Sequence, residues 1–185
     1  WLIVIVVIIL LVVPGKKGET GPIKVGFIGP LTGEISSLGL GGQAATQVAI
    51  DEINAIGGIS GRKVELIAED GKCTAASAVS AAQKLISVDK VVTIIGGLCS
   101  SETTAFIKIA SEAKIPVISY GSSAPALSQS GKFFFRTYPS DANQGKVAAE
   151  YVYNTLKAKK VAVLYHISDW GSGVESVFVS RFKEL

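Results

Sequence analysis

The sequence predicts an α/β protein built on a doubly wound parallel sheet. Short apolar runs rich in Val and Ile alternate with amphipathic helical patterns from Ile23 onward. Hydrophobic residues make up 48% of the chain and charged residues only 18%, a balance typical of a sheet that is buried on both faces. Because strands and helices alternate at this spacing, we expect parallel strands joined by right-handed crossovers.

The elements are predicted in a regular order. Strands are expected at residues 23–28, 64–68, 91–95, 115–119, 133–137 and 161–165. Helices are expected at residues 43–56, 74–86, 105–113, 141–156 and 173–185. Gly57 and Gly58 end the first helix, because glycine adopts the left-handed backbone that often follows a helix. The chain ends inside its last predicted helix, so we expect it to be a piece of a larger protein.

Residues 1–22 are expected to lie outside this fold. Residues 1–13 are continuously apolar, and residues 14–22 form a polar, turn-rich linker. The apolar run is shorter than the roughly 20 residues that span a bilayer, but it fits the core of a signal peptide, which is about 7–15 residues long. We therefore expect an export signal or a membrane anchor, and a periplasmic or extracellular location.

Charge and composition exclude several classes of function. The formal net charge of +3 is small and scattered along the chain, so nucleic acid is not an expected partner. The single histidine, His166, is expected at the surface or at the edge of a cleft, because no metal-ligand set or nucleophile–base pair accompanies it. We therefore expect no enzyme, no metal and no cofactor.

One glycine-rich segment matches the pattern of a dinucleotide-binding loop. Residues 39–44 read Gly-x-Gly-x-x-Ala, but they lie about ten residues after the first predicted strand, whereas that loop must follow the strand directly. We interpret the segment as a flexible loop that leads into a helix. A nucleotide-dependent enzyme remains an alternative.

Two strand exits are rich in glycine and serine. Residues 96–104 follow the third predicted strand, and residues 119–125 follow the fourth. Ligands of parallel sheets bind at the carboxyl ends of the strands. Free N–H groups at a helix start stabilise anions there, and carboxylates in particular. The sequence therefore predicts a binding site at this edge, with Trp170 at another exit either in the core or as a lid over an apolar ligand.

Cys73 and Cys99 are the two cysteines of the chain. In an exported protein a disulfide between them is favoured, whereas in the cytosol they would be reduced thiols. The residues alone leave open a third possibility, two unrelated buried thiols.

Several segments occur together in an order that is typical of one family. They are residues 23–33, 51–63, 96–104 with the sequence Leu98-Cys99-Ser100-Ser101, 116–125, and 136–145 with Arg-Thr-Tyr-Pro-Ser-Asp at its start. Together they resemble type 1 periplasmic solute-binding proteins, in particular the leucine/isoleucine/valine-binding group of ABC importers. The resemblance covers about residues 23–185. It implies an N-terminal ligand-binding lobe at residues 23–138 and the start of a truncated second lobe at residues 139–185.

The resemblance also implies a set of ligand-contacting residues at the two serine-rich exits and in the second lobe: Leu98, Cys99, Ser100, Gly121, Ser122, Ser123 and Trp170. Within this set Ser100 is expected to bind the ligand carboxylate and Ser123 the amino group. Trp170 stands where the family has tyrosine, and Leu38 stands where an aromatic residue is common. Cys73 and Cys99 stand where branched-chain amino acid binders have a disulfide. The acidic partner of the ligand ammonium is expected outside this sequence.

The function that the resemblance implies is capture of an amino acid, or a similar small carboxylate or amide, in a cleft between two lobes. The expected partner is the permease of an ABC transporter in the membrane. The extracellular ligand-sensing domain of a membrane receptor, which uses the same fold, is the first alternative.

Overall fold

The fold is that of a computed structural model, which describes residues 21–185. The predicted export signal or anchor therefore lies outside the described residues. Within residues 21–185 no helix combines the length and the apolar character that a membrane crossing requires.

Five parallel strands form one sheet, which confirms the predicted fold class. The strands are β1 (Ile23–Gly29), β2 (Val64–Asp70), β3 (Thr93–Gly96), β4 (Val117–Ser119) and β5 (Phe134–Arg136). Their order across the sheet is β2-β1-β3-β4-β5. The order reverses between β1 and β3, and a sheet of this kind opens a crevice at that point, outside the carboxyl ends of its strands.

Five α-helices lie within the described residues; the first three connect β1 to β2, β2 to β3 and β3 to β4, and the last two follow β5. They are α1 (Ser36–Ala55), α2 (Ala75–Lys84), α3 (Ser100–Glu112), α4 (Ala142–Glu150) and α5 (Asp169–Glu184). Helices α2 and α4 each continue into a π-helical turn, at Leu85–Asp89 and Tyr151–Thr155, and a 3₁₀ turn spans Pro125–Gln129. Serine and threonine caps fix two helix starts: the Thr74 hydroxyl accepts from the Ser77 N–H, and the Ser168 hydroxyl accepts from the Gly171 N–H.

The core lies between the central strands and helices α2 and α3. Ile28 of β1, Ile94 of β3 and Val117 of β4 are fully buried against Leu85 and Phe106. Each large apolar side chain buried in this way contributes roughly 1.5–3 kcal/mol to folding. Because Ile28 is followed directly by the β1 exit, the core reaches to the edge of the sheet and supports the loops above it.

One predicted strand is wrong. Residues 161–165 form no strand in the described chain, although their sequence is a continuous apolar run. Leu164 and Ile167 are 102% and 91% exposed. A strand needs a neighbour that completes its backbone hydrogen bonds, and residues 21–185 supply none at this place. Helix α5 also begins earlier than predicted, at Asp169.

Helix α1 begins at Ser36, which changes the interpretation of the glycine-rich segment. Gly39, Gly41 and Gly42 lie inside the helix rather than in a loop. A Cβ atom at Gly39 would collide with the Pro30 carbonyl, so glycine here permits a close approach between α1 and the β1 exit. The flexible-loop interpretation and the dinucleotide interpretation are therefore both wrong.

Candidate functional site

A cleft of about 800 Å³ lies at the carboxyl edge of the sheet, where the strand order reverses. The exits of β1, β2, β3 and β4 form one wall, and residues from the starts of α4 and α5 form the other. The predicted ligand-contacting residues that line it are Leu98, Cys99, Ser100, Gly121, Ser123 and Trp170. The topology therefore brings six of the predicted residues to one surface.

Ser100 is the first residue of α3 and is only 5% exposed. Its hydroxyl oxygen accepts a hydrogen bond from the Ala124 N–H at 3.1 Å, which ties the β3 exit to the β4 exit. The hydroxyl hydrogen remains available as a donor. Because the first N–H groups of a helix have no partner within the helix, Ser100 and Ser101 add backbone donors at the same place.

Ser122 does not line the cleft, so its predicted contact with ligand is corrected to a supporting role. It is fully buried, and its hydroxyl lies 2.7 Å from the Thr103 hydroxyl. The Ser122 hydroxyl also donates to the Gly97 carbonyl at 3.0 Å. Its hydrogen bonds therefore hold the β3 and β4 exits together from beneath.

Arg136 of β5 supports the β4 exit from the other side. Its guanidinium donates to the carbonyls of Ser122 and Ala124 at 3.3 and 3.0 Å. Burial lowers the pKa of Arg136, and the charge of Asp141 opposes that shift. The positions of Gly121 and Ser123 in the cleft wall are therefore fixed by hydrogen bonds on both sides of the loop.

A hydrogen-bonded network crosses the cleft at Asp141. One oxygen of its carboxylate, Oδ2, accepts from the Ser123 hydroxyl and from the indole N–H of Trp170, both at 2.6 Å. Trp170 is 40% exposed and lines the cleft, which favours the lid interpretation over the core one. Sequence reasoning missed Asp141, because an aspartate that opens a helix suggests a cap; here its side chain makes no capping bond.

The structure joins Cys73 and Cys99 in a disulfide, with their Cα atoms 5.4 Å apart. Glu102 lies behind this bridge and is fully buried. Burial raises the pKa of Glu102, and hydrogen bonds from the backbone N–H groups of Cys99 and Cys73 oppose the shift only in part. Sequence reasoning missed Glu102 as well, although a glutamate at the third position of a helix is a known capping signal.

Asp70 supports the rim of the cleft on the side of β1 and β2. Its carboxylate accepts from the Thr32 hydroxyl at 2.5 Å and from the Leu31 N–H at 2.8 Å, so it ties the β1 exit to the end of β2. Burial raises the pKa of Asp70, but the hydrogen bonds from Thr32, Leu31 and Lys72 outweigh it and hold the pKa below its ordinary value. His166 lies at the far edge of the cleft, as expected, whereas Leu38 is 60% exposed and outside the cleft lining.

No group of three or more His, Cys, Asp or Glu side chains in the described part of the chain is arranged to hold a metal ion. What the cleft offers is hydrogen-bond donors at the start of α3, a carboxylate acceptor at Asp141 and an aromatic surface at Trp170. This set can bind a small molecule that carries both an anionic and a cationic group.

A parallel α/β fold with a polar cleft at the strand exits is the architecture of a ligand-binding lobe. Comparison with known families agrees, because residues 22–185 match the model of the periplasmic binding protein family. The chain belongs to that family.

Two amino acid binding proteins are similar to this chain over most of its length. An amino acid binding protein of Pseudomonas aeruginosa is 35% identical over 88% of this chain and 44% of its own length. The branched-chain amino acid transporter substrate-binding protein of Streptococcus pneumoniae, solved in complex with isoleucine, is 35% identical, with a TM-score of 0.75 over 88% of this chain and 47% of that one.

A third similar structure holds a different ligand. The ABC-transporter solute-binding protein of Rhodopseudomonas palustris, in complex with 3,4-dihydroxybenzoic acid, is 26% identical, with a TM-score of 0.75 over 88% of this chain and 44% of that one. The chain thus spans less than half the length of these relatives.

Proposed function

We propose that this chain provides a ligand-binding lobe of an extracytoplasmic solute-binding protein, which captures an amino acid or a similar small carboxylate or amide and delivers it to the permease of an ABC importer. One observation carries the proposal: the cleft places helix-start donors opposite a carboxylate acceptor. An amino acid presents the complementary pair of groups. The protein is a binding protein and not an enzyme in this proposal.

The carboxylate end of the ligand is assigned to the start of α3. Ser100 supplies a hydroxyl, and the N–H groups of Ser100 and Ser101 lie in the first turn of the helix. The helix dipole places partial positive charge at the same point, so an anion is stabilised there without a cationic side chain. The Ser100 hydroxyl is held in place by its bond from the Ala124 N–H, which lowers the entropy lost on binding.

The ammonium end is assigned to Asp141, with the Gly121 carbonyl and the Ser123 hydroxyl beside it, in place of the acidic residue that the resemblance led us to expect outside this sequence. Asp141 Oδ2 already accepts from two neutral donors, Ser123 and Trp170. An ammonium group is a charged donor, and hydrogen bonds between charged groups are stronger than those to neutral ones. The ligand is therefore expected to take over one of these two contacts.

The relatives sharpen the choice of ligand. Isoleucine and 3,4-dihydroxybenzoic acid, which are bound by two similar proteins, share a carboxylate, but only isoleucine has an ammonium group. A cleft with helix-start donors alone would suit both ligands. The presence of Asp141 in this cleft favours an amino acid, and aliphatic amino acids such as leucine are the first candidates.

Residues 139–185 are proposed to begin a second lobe, as expected from the sequence. Helices α4 and α5 pack against each other, and His166, Ser168 and Trp170 face the exits of β3 and β4 across the cleft. Closure of two such lobes on a ligand expels water and strengthens each hydrogen bond. The disulfide between Cys73 and Cys99 fits an oxidising, extracytoplasmic compartment.

The test compares leucine with 4-methylpentanoate, which has the same side chain and carboxylate but no ammonium group. In the complete protein, Ser100→Ala is expected to weaken binding of both ligands by about 1.5–3 kcal/mol in isothermal titration calorimetry, the range for hydrogen bonds to charged groups. Asp141→Asn is expected to weaken the binding of leucine by a similar amount and the binding of 4-methylpentanoate far less. Ser80→Ala, on the exposed side of α2, is the matched control.

Two results would contradict the proposal. Unchanged affinity in Ser100→Ala for every ligand that the wild type binds would remove the start of α3 from the site. Equal losses for both ligands in Asp141→Asn would remove the ammonium assignment.

A further inference from the structure

Glu102 connects two loops of the cleft wall from behind. Its Oε1 atom accepts from the Cys73 N–H after β2, and its Oε2 atom accepts from the Cys99 N–H after β3, both at 3.0 Å. The same two residues are joined by the disulfide. The loops are therefore connected twice, once covalently and once through a buried carboxylate.

The surroundings leave room for that carboxylate at two glycines. A Cβ atom at Gly71 would collide with Glu102 Oε1, and one at Gly97 would lie 2.8 Å from Glu102 Oε2. Neither glycine has a positive φ, so what these positions provide is space rather than backbone freedom. No Lys, Arg or His within residues 21–185 forms an ion pair with Glu102, so backbone N–H groups, chiefly those of Cys99 and Cys73, offset its burial.

We propose that Glu102 is a positioning residue of the cleft: its carboxylate holds the Cys73 and Cys99 loops together independently of the disulfide. The first turn of α3 then keeps its donors directed at the cleft when the disulfide is reduced. The effect on ligand affinity rests on the proposed function, whereas the connection between the loops does not.

The titratable groups around Glu102 are Asp70 at the end of β2 and Tyr120 after β4, and Lys72 lies in the same loop as Cys73. Burial raises the pKa of Glu102, and burial likewise raises that of Tyr120, whereas hydrogen bonds outweigh burial and lower the pKa of Asp70. The three groups therefore titrate in separate ranges, and a signal that follows Glu102 can be distinguished from the other two.

The first measurement is an NMR titration of the backbone amides in the complete, oxidised protein without ligand. The amide protons of Cys73 and Cys99 are expected to shift together, with one midpoint above the ordinary glutamate value of about 4.3. Glu102→Gln should abolish this transition. Glu112→Gln, at the exposed end of the same helix, should leave it unchanged.

Two amides that titrate separately, or not at all, would overturn the proposal. This outcome needs only the wild type, so the test stands even if Glu102→Gln does not fold.

The second measurement is amide hydrogen exchange before and after reduction. In the wild type, reduction should raise the exchange rates of Cys73 and Cys99 less than about threefold, because the Glu102 bonds remain. In Glu102→Gln, reduction should raise them at least about tenfold, since a hydrogen bond to a charged group protects by about that factor or more. Rates that rise tenfold already in the reduced wild type would overturn the proposal, as would a reduced variant that matches the reduced wild type.

Leucine affinity, measured by calorimetry on the same samples, tests whether the connection between the Cys73 and Cys99 loops through Glu102 affects ligand binding. Reduction should change the Kd less than about threefold in the wild type and at least about tenfold in Glu102→Gln, again from the strength of a charged hydrogen bond. Equal changes in both would overturn the positioning role. If no form of the protein binds leucine, the proposed leucine-type ligand is wrong, and the amide measurements still decide the role of Glu102.

Discussion

Two carboxylates, Asp70 and Glu102, support the same cleft, and their surroundings move their pKa values in opposite directions. Asp70 is partly exposed and accepts from Thr32, Leu31 and Lys72, and these bonds hold its pKa down against the effect of burial. Glu102 is fully buried with backbone donors, and its pKa is raised because burial outweighs those bonds. The balance between donors gained and water lost decides the direction.

The difference gives each carboxylate a separate structural role. Asp70 is expected to act through its negative charge, which organises donors from the β1 exit at the rim of the cleft. Glu102 is expected to act in two ways. Its side chain fills the space beside Gly71 and Gly97, and its two carboxylate oxygens accept hydrogen bonds from the loops. Variants that change space, charge or donors should therefore affect the two sites differently.

The largest loss of folding stability is expected for a substitution that places an extra methyl group in the space beside Glu102. Gly71→Ala brings a methyl group onto Glu102 Oε1 and to 3.0 Å from the Ile28 side chain, in a core that cannot relax easily. We expect a loss of about 3 kcal/mol, the upper part of the usual range for overpacking. Equilibrium unfolding in urea measures it.

The control for this variant is Gly41→Ala, on a part of α1 where an added Cβ meets nothing within 4 Å. There the free energy of unfolding should stay equal or rise by up to about 1 kcal/mol, because alanine favours the helix. Equal losses in both variants would mean that the space around Glu102 is not restrictive.

An intermediate effect is expected for Glu102→Gln, at about 2 kcal/mol, since one of two hydrogen bonds to a buried carboxylate is lost. Its pH dependence has a definite sign. Because the pKa of Glu102 is raised in the folded protein, the stability linked to its proton is fully present below the ordinary glutamate pKa and is lost as the pH rises through the folded pKa. The advantage of the wild type over Glu102→Gln should therefore shrink from pH 4 to pH 8 in urea unfolding, and an advantage that grows would show the opposite shift.

The smallest effect, about 1 kcal/mol at pH 7, is expected for Asp70→Asn, because this carboxylate is partly exposed and its bonds are weakened by solvent. The pH dependence of the stability loss in Asp70→Asn has the opposite sign to that in Glu102→Gln. The pKa of Asp70 is lowered in the folded protein, so its contribution is present above the ordinary aspartate pKa and is lost as the pH falls through the folded pKa. Unfolding measured at pH 7 and below pH 3 should show the difference from wild type disappear at the acidic end, and a constant difference would contradict the assignment.

The fold could be predicted largely from local patterns, since the strands contain short apolar runs and the first three crossovers carry a helical periodicity, whereas β4 and β5 are joined by a loop with a 3₁₀ turn. The exception, residues 161–165, shows the limit of this reasoning. Their pattern is that of a strand, yet strand formation depends on a neighbouring segment, which the sequence of the run does not specify. The early start of α1 was missed because glycine disfavours helices, whereas here the packing of Gly39 against Pro30 decides.

The cleft could be predicted only where it depends on the strand exits. Ser100 and Ser123 each follow a strand, so parallel topology alone brings them near one another. Asp141 and Glu102 each also have a partner that is distant in the sequence: Ser123 is 18 residues from Asp141, and Cys73 is 29 residues from Glu102. Long-range pairs of this kind follow from the folded geometry, which no local pattern encodes.

The bond between the Trp170 indole and Asp141 gives the protein an optical reporter. Of the two tryptophans in the chain, Trp170 is the one within the described residues. This residue is 40% exposed, and its indole N–H donates to a carboxylate oxygen at 2.6 Å. A solute that draws Asp141 toward itself changes the polarity around the indole, so occupancy can be followed by intrinsic fluorescence, without a label.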